Sequence, residues 1–305
     1  QPSPRVRSRG SEGEGGGESS TPSATLAVAQ GTCGSRRPVA RTEGGGEWVA
    51  SELTSIQNLL RRVTAQLSRG LQAIFAAHTY VGVVDRRYIL LQHLTKLYVV
   101  HIGVASDAFF YQQALRGWGN FASIRLAKPV SIVELYLLAE PTSKGEQGAE
   151  PTPEALEKAA EASATLGEKA EMLREYLAIE IVDGNLTALP QLIADYVPPL
   201  NGLPSFVRRL AEEVDWTVEQ PCFEGIARQL ARLYRVDHIG GTAEEAGGDG
   251  GAEGGDAACS EAWTIQHVLL PAMRRGYEPP NVHATNGAVV QAACTEQLYK
   301  IFERC

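Results

Sequence analysis

Cysteine is scarce in this sequence, and its spacing does not suit a fold built on disulfides. The 305 residues include five cysteines, an odd number, and no two of them form a CxxC pair. Small secreted domains carry cysteines more densely and usually in even number. We therefore expect reduced thiols and an intracellular setting for the five, which are Cys33, Cys222, Cys259, Cys294 and Cys305.

Long apolar runs and an excess of positive charge are missing as well. No segment approaches the roughly 20 apolar residues that a membrane-spanning helix requires. The formal net charge is −8, whereas domains that bind nucleic acid through their overall charge are basic. We expect no membrane association, and contact with DNA only where another part of an assembly holds most of it.

The sequence patterns of common catalytic sites are also absent. No glycine-rich phosphate loop stands between a strand and a helix, and neither GxSxG nor HExxH occurs. None of the six histidines lies four residues from another, and no cysteine pair has zinc-finger spacing. The sequence therefore predicts no catalytic residue in this chain alone.

Composition divides the chain into a linker and one large domain. Residues 1–46 are rich in Gly, Ser and Glu, with little to bury, which predicts a disordered linker. Residues 47–305 form the predicted domain, with two glycine-containing acidic inserts at about 140–153 and 240–258 that we expect to be disordered. Because the sequence does not start with Met, we expect it to be a piece of a longer polypeptide.

Apolar periodicity predicts several helices in the domain. Residues three and four apart are apolar from Leu53 to Ile74, which predicts one long helix with Ser51 as its N-cap. A further helix is predicted with Ser106 as its N-cap. In the last long helical segment, Pro271 is expected to kink or divide the helix.

Short aromatic and β-branched runs predict strands between these helices. Three such runs follow one another over residues 79–101, and the Asp183–Gly184 pair predicts a hairpin turn between two more. The proline-rich segment over residues 189–206 indicates an edge segment or an ordered loop. Together, the predicted helices and strands indicate an α+β fold, with helices packed on mixed or antiparallel sheets.

One short stretch has side chains of the kind that bind metal ions. Asp85, Gln92 and His93 lie close together in sequence, and metal-dependent nucleases place such groups near strand-to-helix junctions. A divalent ion would need further carboxylates after His93, but Lys96 and apolar residues follow. The alternative is that Gln92 and His93 are hydrogen-bonded strand residues, and we prefer this interpretation.

Several segments together resemble one known family. They are "YVGVVDRRYILLQHLTKLYVV", "FFYQQALRGWGNF", "KAEMLREYLAIEI", "IADYVPPLNGLP", "FVRRLAEEVDW" and the closing "QLYKIFERC". In this order they resemble the C-terminal region of the eukaryotic MutL homologue 1 family of DNA mismatch repair. The likeness covers Glu47 to Cys305, and "YVPPLNGLP" and "FERC" are its most specific signals.

The resemblance implies a non-catalytic dimerisation domain of a nuclear heterodimer. The implied partner is a PMS-type or MLH-three-type MutL homologue, which carries the nicking endonuclease and its DQHAxxERxxxE metal motif. In this chain "LLQHLTKLYVV" occupies the corresponding stretch, where Gln92 and His93 remain but Leu91 replaces the aspartate. The resemblance thus implies no intrinsic cofactor, and contact with DNA only through the full heterodimer.

The resemblance also assigns a role to the last residue. Cys305 is implied to reach the partner's metal site in trans and to share a zinc ion there, within a tail formed by Phe302, Glu303, Arg304 and Cys305. A cysteine ligand binds as the thiolate, and metal binding favours that form. The alternative is that the tail only docks in a groove of the partner.

A stable heterodimer needs a large apolar interface, of the kind that buries over about 2,000 Å². We predict that it is formed by the proline-rich segment, the helix after it and the closing residues. Two other functions stay open: a docking module for peptides of repair factors such as an exonuclease, and a metal-dependent nuclease in its own right. The predicted interface residues are Tyr196, Val197, Pro198, Pro199, Leu200, Leu203, Phe206, Leu210, Leu298, Ile301 and Phe302.

Overall fold

A computed structural model describes residues 51–139, 151–239 and 261–296. The predicted linker, nearly all of both predicted inserts and the closing segment from residue 297 lie outside the described residues. Within them, helices pack on two antiparallel sheets, so the predicted α+β class is confirmed. None of the described helices is both long enough and apolar enough to cross a lipid bilayer.

The helices account for most of the regular structure. Two short 3₁₀ turns, Leu200–Gly202 and Asn281–Ala284, and one π-helical turn, Ile265–Leu269, supplement the α-helices. The α-helices are α1 (Thr54–Ala65), α2 (Arg69–Ala76), α3 (Ile102–Arg116), α4 (Ile132–Leu138), α5 (Pro153–Glu168), α6 (Ala170–Leu177), α7 (Leu203–Glu212), α8 (Glu219–Tyr234) and α9 (Leu270–Gly276).

The strands form two antiparallel sheets. The first has the order β1-β2-β3-β7 and the second the order β4-β6-β5. The strands are β1 (Thr79–Val83), β2 (Tyr88–His93), β3 (Lys96–His101), β4 (Ser123–Ser131), β5 (Glu180–Val182), β6 (Asn185–Pro190) and β7 (Val289–Cys294).

The four-stranded sheet confirms the three strands predicted over residues 79–101. β2 and β3 are joined by a two-residue turn in which Leu94 adopts a positive φ of 54°. Side chains alternate between the two faces of a strand, and one face carries Ile89, Leu91 and Val100, all fully buried. This inner face packs into the main hydrophobic core with α3, whose Phe109 and Phe110 lie at its centre.

The three-stranded sheet is organised by the predicted hairpin. Asp183 and Gly184 both have positive φ, 49° and 73°, as the tight turn between β5 and β6 requires. β4 runs directly into α4, because the Ser131 hydroxyl accepts a hydrogen bond from the Glu134 backbone N–H and caps that helix. The strand and hairpin predictions for this part of the chain are confirmed.

The prediction of one long first helix is wrong. The chain breaks after Ala65, and α2 starts anew at Arg69 with Ser68 as its N-cap. The break is stabilised from far along the chain: Leu67 forms an isolated bridge with Pro280, and the Ser68 backbone N–H donates to the Pro279 carbonyl. Such a tertiary contact leaves no trace in the local apolar periodicity. Nor does Ser51 cap α1, whose N-cap is Leu53.

The predicted cap of α3 is wrong as well. The helix begins four residues earlier than Ser106, and the His101 side chain accepts a hydrogen bond from the Val104 backbone N–H. Ser106 is fully buried inside the helix, where its hydroxyl donates to the Gly103 carbonyl and accepts from the Val236 backbone N–H. It therefore ties α3 to the end of α8.

Pro271 lies within a continuous helical segment and does not divide it into two separate helices, which was one of the two predicted effects. A π-helical turn directly precedes α9, and the proline, which has no N–H to donate, is the second residue of α9. The carbonyls that the proline leaves without a partner explain the wider turn before it. The segment ends at Gly276, which faces the end of α3.

Candidate dimerisation surface and neighbouring sites

The outer face of the four-stranded sheet carries a row of apolar side chains that the core does not cover, with the polar Gln92 at one end. Leu90 in β2 lies opposite Val99 in β3, and Val99 lies opposite Val290 in β7, so these side chains form a row across the sheet. Leu97 in β3 lies beside the row, and Val81 projects at the irregular part of β1. We call these five side chains the outer sheet face.

The outer sheet face is accessible to solvent. Val81 is 50% exposed and Val290 is 49% exposed, and the other three are half-buried. Antiparallel sheets with one solvated face normally place polar residues there. A contiguous row of accessible apolar side chains on a folded chain indicates a contact surface for another molecule.

The predicted interface residues of the proline-rich segment mostly point inward. Tyr196 is buried and its hydroxyl donates to the Tyr234 carbonyl at 2.6 Å. Pro198 is buried and Leu200 is half-buried, so only Val197 and Pro199 are exposed. Between β6 and the 3₁₀ turn the segment is an ordered loop, which is one of the two predicted alternatives, and it offers little apolar surface.

The predicted interface residues of α7 belong to the core of this chain. Leu203, Phe206 and Leu210 have at most 1% of their surface exposed, and they form the inward stripe of a helix that packs on α4 and α8. A side chain that its own chain encloses cannot contact a partner. The assignment of these three to the interface is therefore corrected. Leu298, Ile301 and Phe302, like the rest of the tail to Cys305, lie outside the described residues.

The stretch with Gln92 and His93 lies in the β2–β3 hairpin and not at a strand-to-helix junction. Leu91, which stands where the resemblance expects an aspartate, is fully buried on the inner face. The Gln92 side-chain amide donates to the Leu94 carbonyl at 3.1 Å, and His93 lies opposite Lys96 in the sheet. The preferred interpretation of both as strand residues is confirmed.

A strand-to-helix junction does occur ten residues further along, where β3 runs into α3. A cavity of about 420 Å³ opens there between His101, Asp107, Asp237 and His238. Burial raises the pKa of the Asp107 carboxyl, and the charges of Arg235, Arg232 and Arg228 oppose that rise. Among the described residues no three His, Cys, Asp or Glu side chains are placed to share a metal ion. The sequence offered a signal for this junction, because a predicted strand ends at His101 and a predicted helix follows within about five residues.

Comparison with known proteins places the chain in a family. The family model described as "DNA mismatch repair protein Mlh1 C-terminus" matches residues 52–305. That range includes both sheets and all described helices.

Curated relatives agree with the family match. The chain is 31% identical over 268 residues to the DNA mismatch repair protein Mlh1 of Dictyostelium discoideum, which covers 83% of this chain and 30% of the relative. It is 33% identical over 283 residues to the DNA mismatch repair protein MLH1 of Saccharomyces cerevisiae, with 85% and 34% covered. The chain thus spans about a third of the length of these relatives, and it belongs to the family of Mlh1 C-terminal domains, as the resemblance implied.

Proposed function

We propose that this chain is the dimerisation part of a MutL-type heterodimer that acts in DNA mismatch repair in the nucleus. The partner is a PMS-type or MLH-three-type homologue, and DNA is engaged through the full heterodimer. The observation that carries the proposal is the outer sheet face, an apolar surface that the described part of the chain leaves uncovered.

The chemistry of the outer sheet face favours a permanent partner. Leucine and valine side chains lie in register across three strands, and burying them against a second apolar surface removes their area from water. Obligate interfaces resemble a protein core cut in half. A matching sheet face on a homologous subunit would supply the other half.

A pair of valine substitutions tests this interface. Val290→Asp places a charge on the outer sheet face, whereas Val182→Asp places one on β5 of the other sheet, where the valine is 54% exposed. We expect Val290→Asp to abolish co-purification with a PMS-type partner and Val182→Asp to leave it unchanged. Equal complex formation by both variants would refute the proposed surface.

We propose further that the chain assists catalysis in trans and holds no complete metal site itself. The supporting observations are that Leu91 is buried and that Gln92 forms a local hydrogen bond, so the hairpin presents no set of oxygen ligands. In this proposal Cys305 extends to the partner and completes a zinc site there with its thiolate.

The role of Cys305 is tested on the assembled heterodimer. Removal of Cys305 should reduce the amount of bound zinc and the rate of nicking of supercoiled DNA. The zinc content is measured by elemental mass spectrometry. Cys259→Ala is the matched control, because it removes one thiol without changing the tail. Unchanged zinc content and nicking after removal of Cys305 would contradict the proposal.

A further inference from the structure

A cleft between α2, α3 and α9 collects positive charge from distant parts of the chain. It has a volume of about 650 Å³, and four arginines line it: Arg69 from α2, Arg116 from α3, and Arg274 and Arg275 from α9. Glu278 is its one acidic lining residue among those described. We call this the arginine cleft.

Two of the four arginines are fixed in the wall of the cleft. Arg116 pairs with Glu278 at 2.6 Å and also donates to the Gly276 carbonyl. Arg274 donates to the His78 carbonyl at 2.5 Å. Glu278 is held in turn by Gln112, which bonds both its backbone N–H and its carbonyl, so the wall is well ordered. These contacts engage Glu278, which is the only carboxylate among the described lining residues.

The other two arginines are exposed and have no acidic partner in the part of the chain that the structure describes. Within residues 51–139, 151–239 and 261–296, neither Arg69 nor Arg275 has a carboxylate within ion-pair distance or a hydrogen-bond acceptor. Arg69 stands at the start of α2, where a positive charge is unfavourable because of the helix dipole. Nothing in the local structure explains its presence there.

A second cavity of about 560 Å³ lies next to the arginine cleft. Arg116, Arg275 and Gly276 line both cavities, and His267 and the acidic Asp195 line only the second. Among the described lining residues of the two cavities there are four arginines and two acids, in a chain whose formal net charge is −8. A local excess of this kind attracts polyanions to one face of an otherwise acidic protein.

We infer that the arginine cleft contacts the phosphate backbone of duplex DNA, with Arg69 and Arg275 as the contacting side chains. The inference rests on the proposed function, because the heterodimer delivers the DNA. Guanidinium groups bind phosphate oxygens through paired N–H donors and carry no sequence preference in doing so. The cleft positions DNA that other parts of the assembly hold, which agrees with the acidity of the whole chain.

Two double substitutions with equal change of charge test the inference. Arg69→Gln with Arg275→Gln empties the cleft of its free charges, and Arg125→Gln with Lys128→Gln removes two exposed charges from β4. Binding of a short fluorescein-labelled duplex is measured by anisotropy over a salt series, for the chain with its MutL partner and for the chain alone. Complex mass and thermal unfolding are recorded for every variant.

The salt dependence decides the outcome. The logarithm of the DNA affinity falls linearly with the logarithm of the salt concentration, and loss of two phosphate contacts should make this slope less steep by about 1.8. Between about 50 and 200 mM salt, the cleft variant should therefore lose roughly tenfold less affinity than the unmodified protein does. The β4 variant should keep the slope of the unmodified protein. Equal slopes for both variants would overturn the inference, and so would a cleft that binds a phosphopeptide but not DNA. Failure of the unmodified chain to form the complex with its MutL partner would count against the proposed function instead.

Discussion

A substitution of Phe206 tests whether α7 belongs to the core of this chain or to an interface with a partner. Its side chain is fully buried in the chain's own core, between α7 and the helices that it packs on. Phe206→Ala removes most of a buried aromatic ring and leaves a cavity, which costs about 3–5 kcal/mol in comparable cores. For a domain of this size that loss lowers the thermal midpoint by roughly 10 °C.

The measurement is thermal unfolding of the chain without any partner, followed by circular dichroism. Val197→Ala is the control, because Val197 is exposed in the segment just before α7 and its truncation opens no cavity. We expect a large fall in the midpoint for Phe206→Ala and almost none for Val197→Ala. An unchanged midpoint for Phe206→Ala, combined with weaker partner binding, would refute the assignment of α7 to the core.

Three further predictions follow from burial and backbone geometry. Burial lowers the pKa of His283 from 6.5 to about 4. As the pH falls, the unfolded chain therefore takes up this proton before the folded chain does. The free energy of unfolding should fall by at most about 3 kcal/mol as the pH drops from about 6.5 to about 4. His283→Gln should flatten that pH dependence in urea titrations, and an unchanged pH dependence would contradict the prediction. Ala178 ends α6 with a positive φ of 52°, so Ala178→Gly should raise the free energy of unfolding by about 1 kcal/mol, and a decrease would contradict the strain argument. Burial raises the pKa of the Cys222 thiol to about 11, so it should react with iodoacetamide far more slowly in the native than in the urea-unfolded chain; equal rates would show that the thiol is accessible.

Local signals were sufficient for the strands and for the turns between them. The β-branched runs of the first sheet and the Asp183–Gly184 turn act through their immediate neighbours, and both are found where the sequence predicted them. The break between α1 and α2 could not be predicted in this way, because it depends on Leu67 meeting Pro280 more than two hundred residues later.

The assignment of Leu203, Phe206 and Leu210 to the interface failed for a related reason, because all three are buried in the core of the chain itself. An apolar stripe such as the one on α7 shows that the helix is covered, but not whether its own chain or a partner covers it. The better signal was in "YILL" of β2, where consecutive apolar residues occupy both faces of an antiparallel strand. One of those faces, with Ile89 and Leu91, is the core, and the other carries Leu90.

The arginine cleft could not be predicted from the sequence. Its arginines come from three helices, and only the fold brings them together. Composition gave the opposite indication, since a chain with a net charge of −8 lacks a basic footprint as a whole. Local charge depends on tertiary placement, which net charge does not describe.

Hydroxyl-radical footprinting of the chain, alone and with its PMS-type partner, tests the central claim most directly, because it reports which side chains a partner covers. The account predicts protection of Leu90, Val99 and Val290 in the complex, and unchanged labelling of Val182 on the other sheet. Protection confined to Val197 and Pro199, with the outer sheet face labelled as strongly as in the free chain, would contradict it.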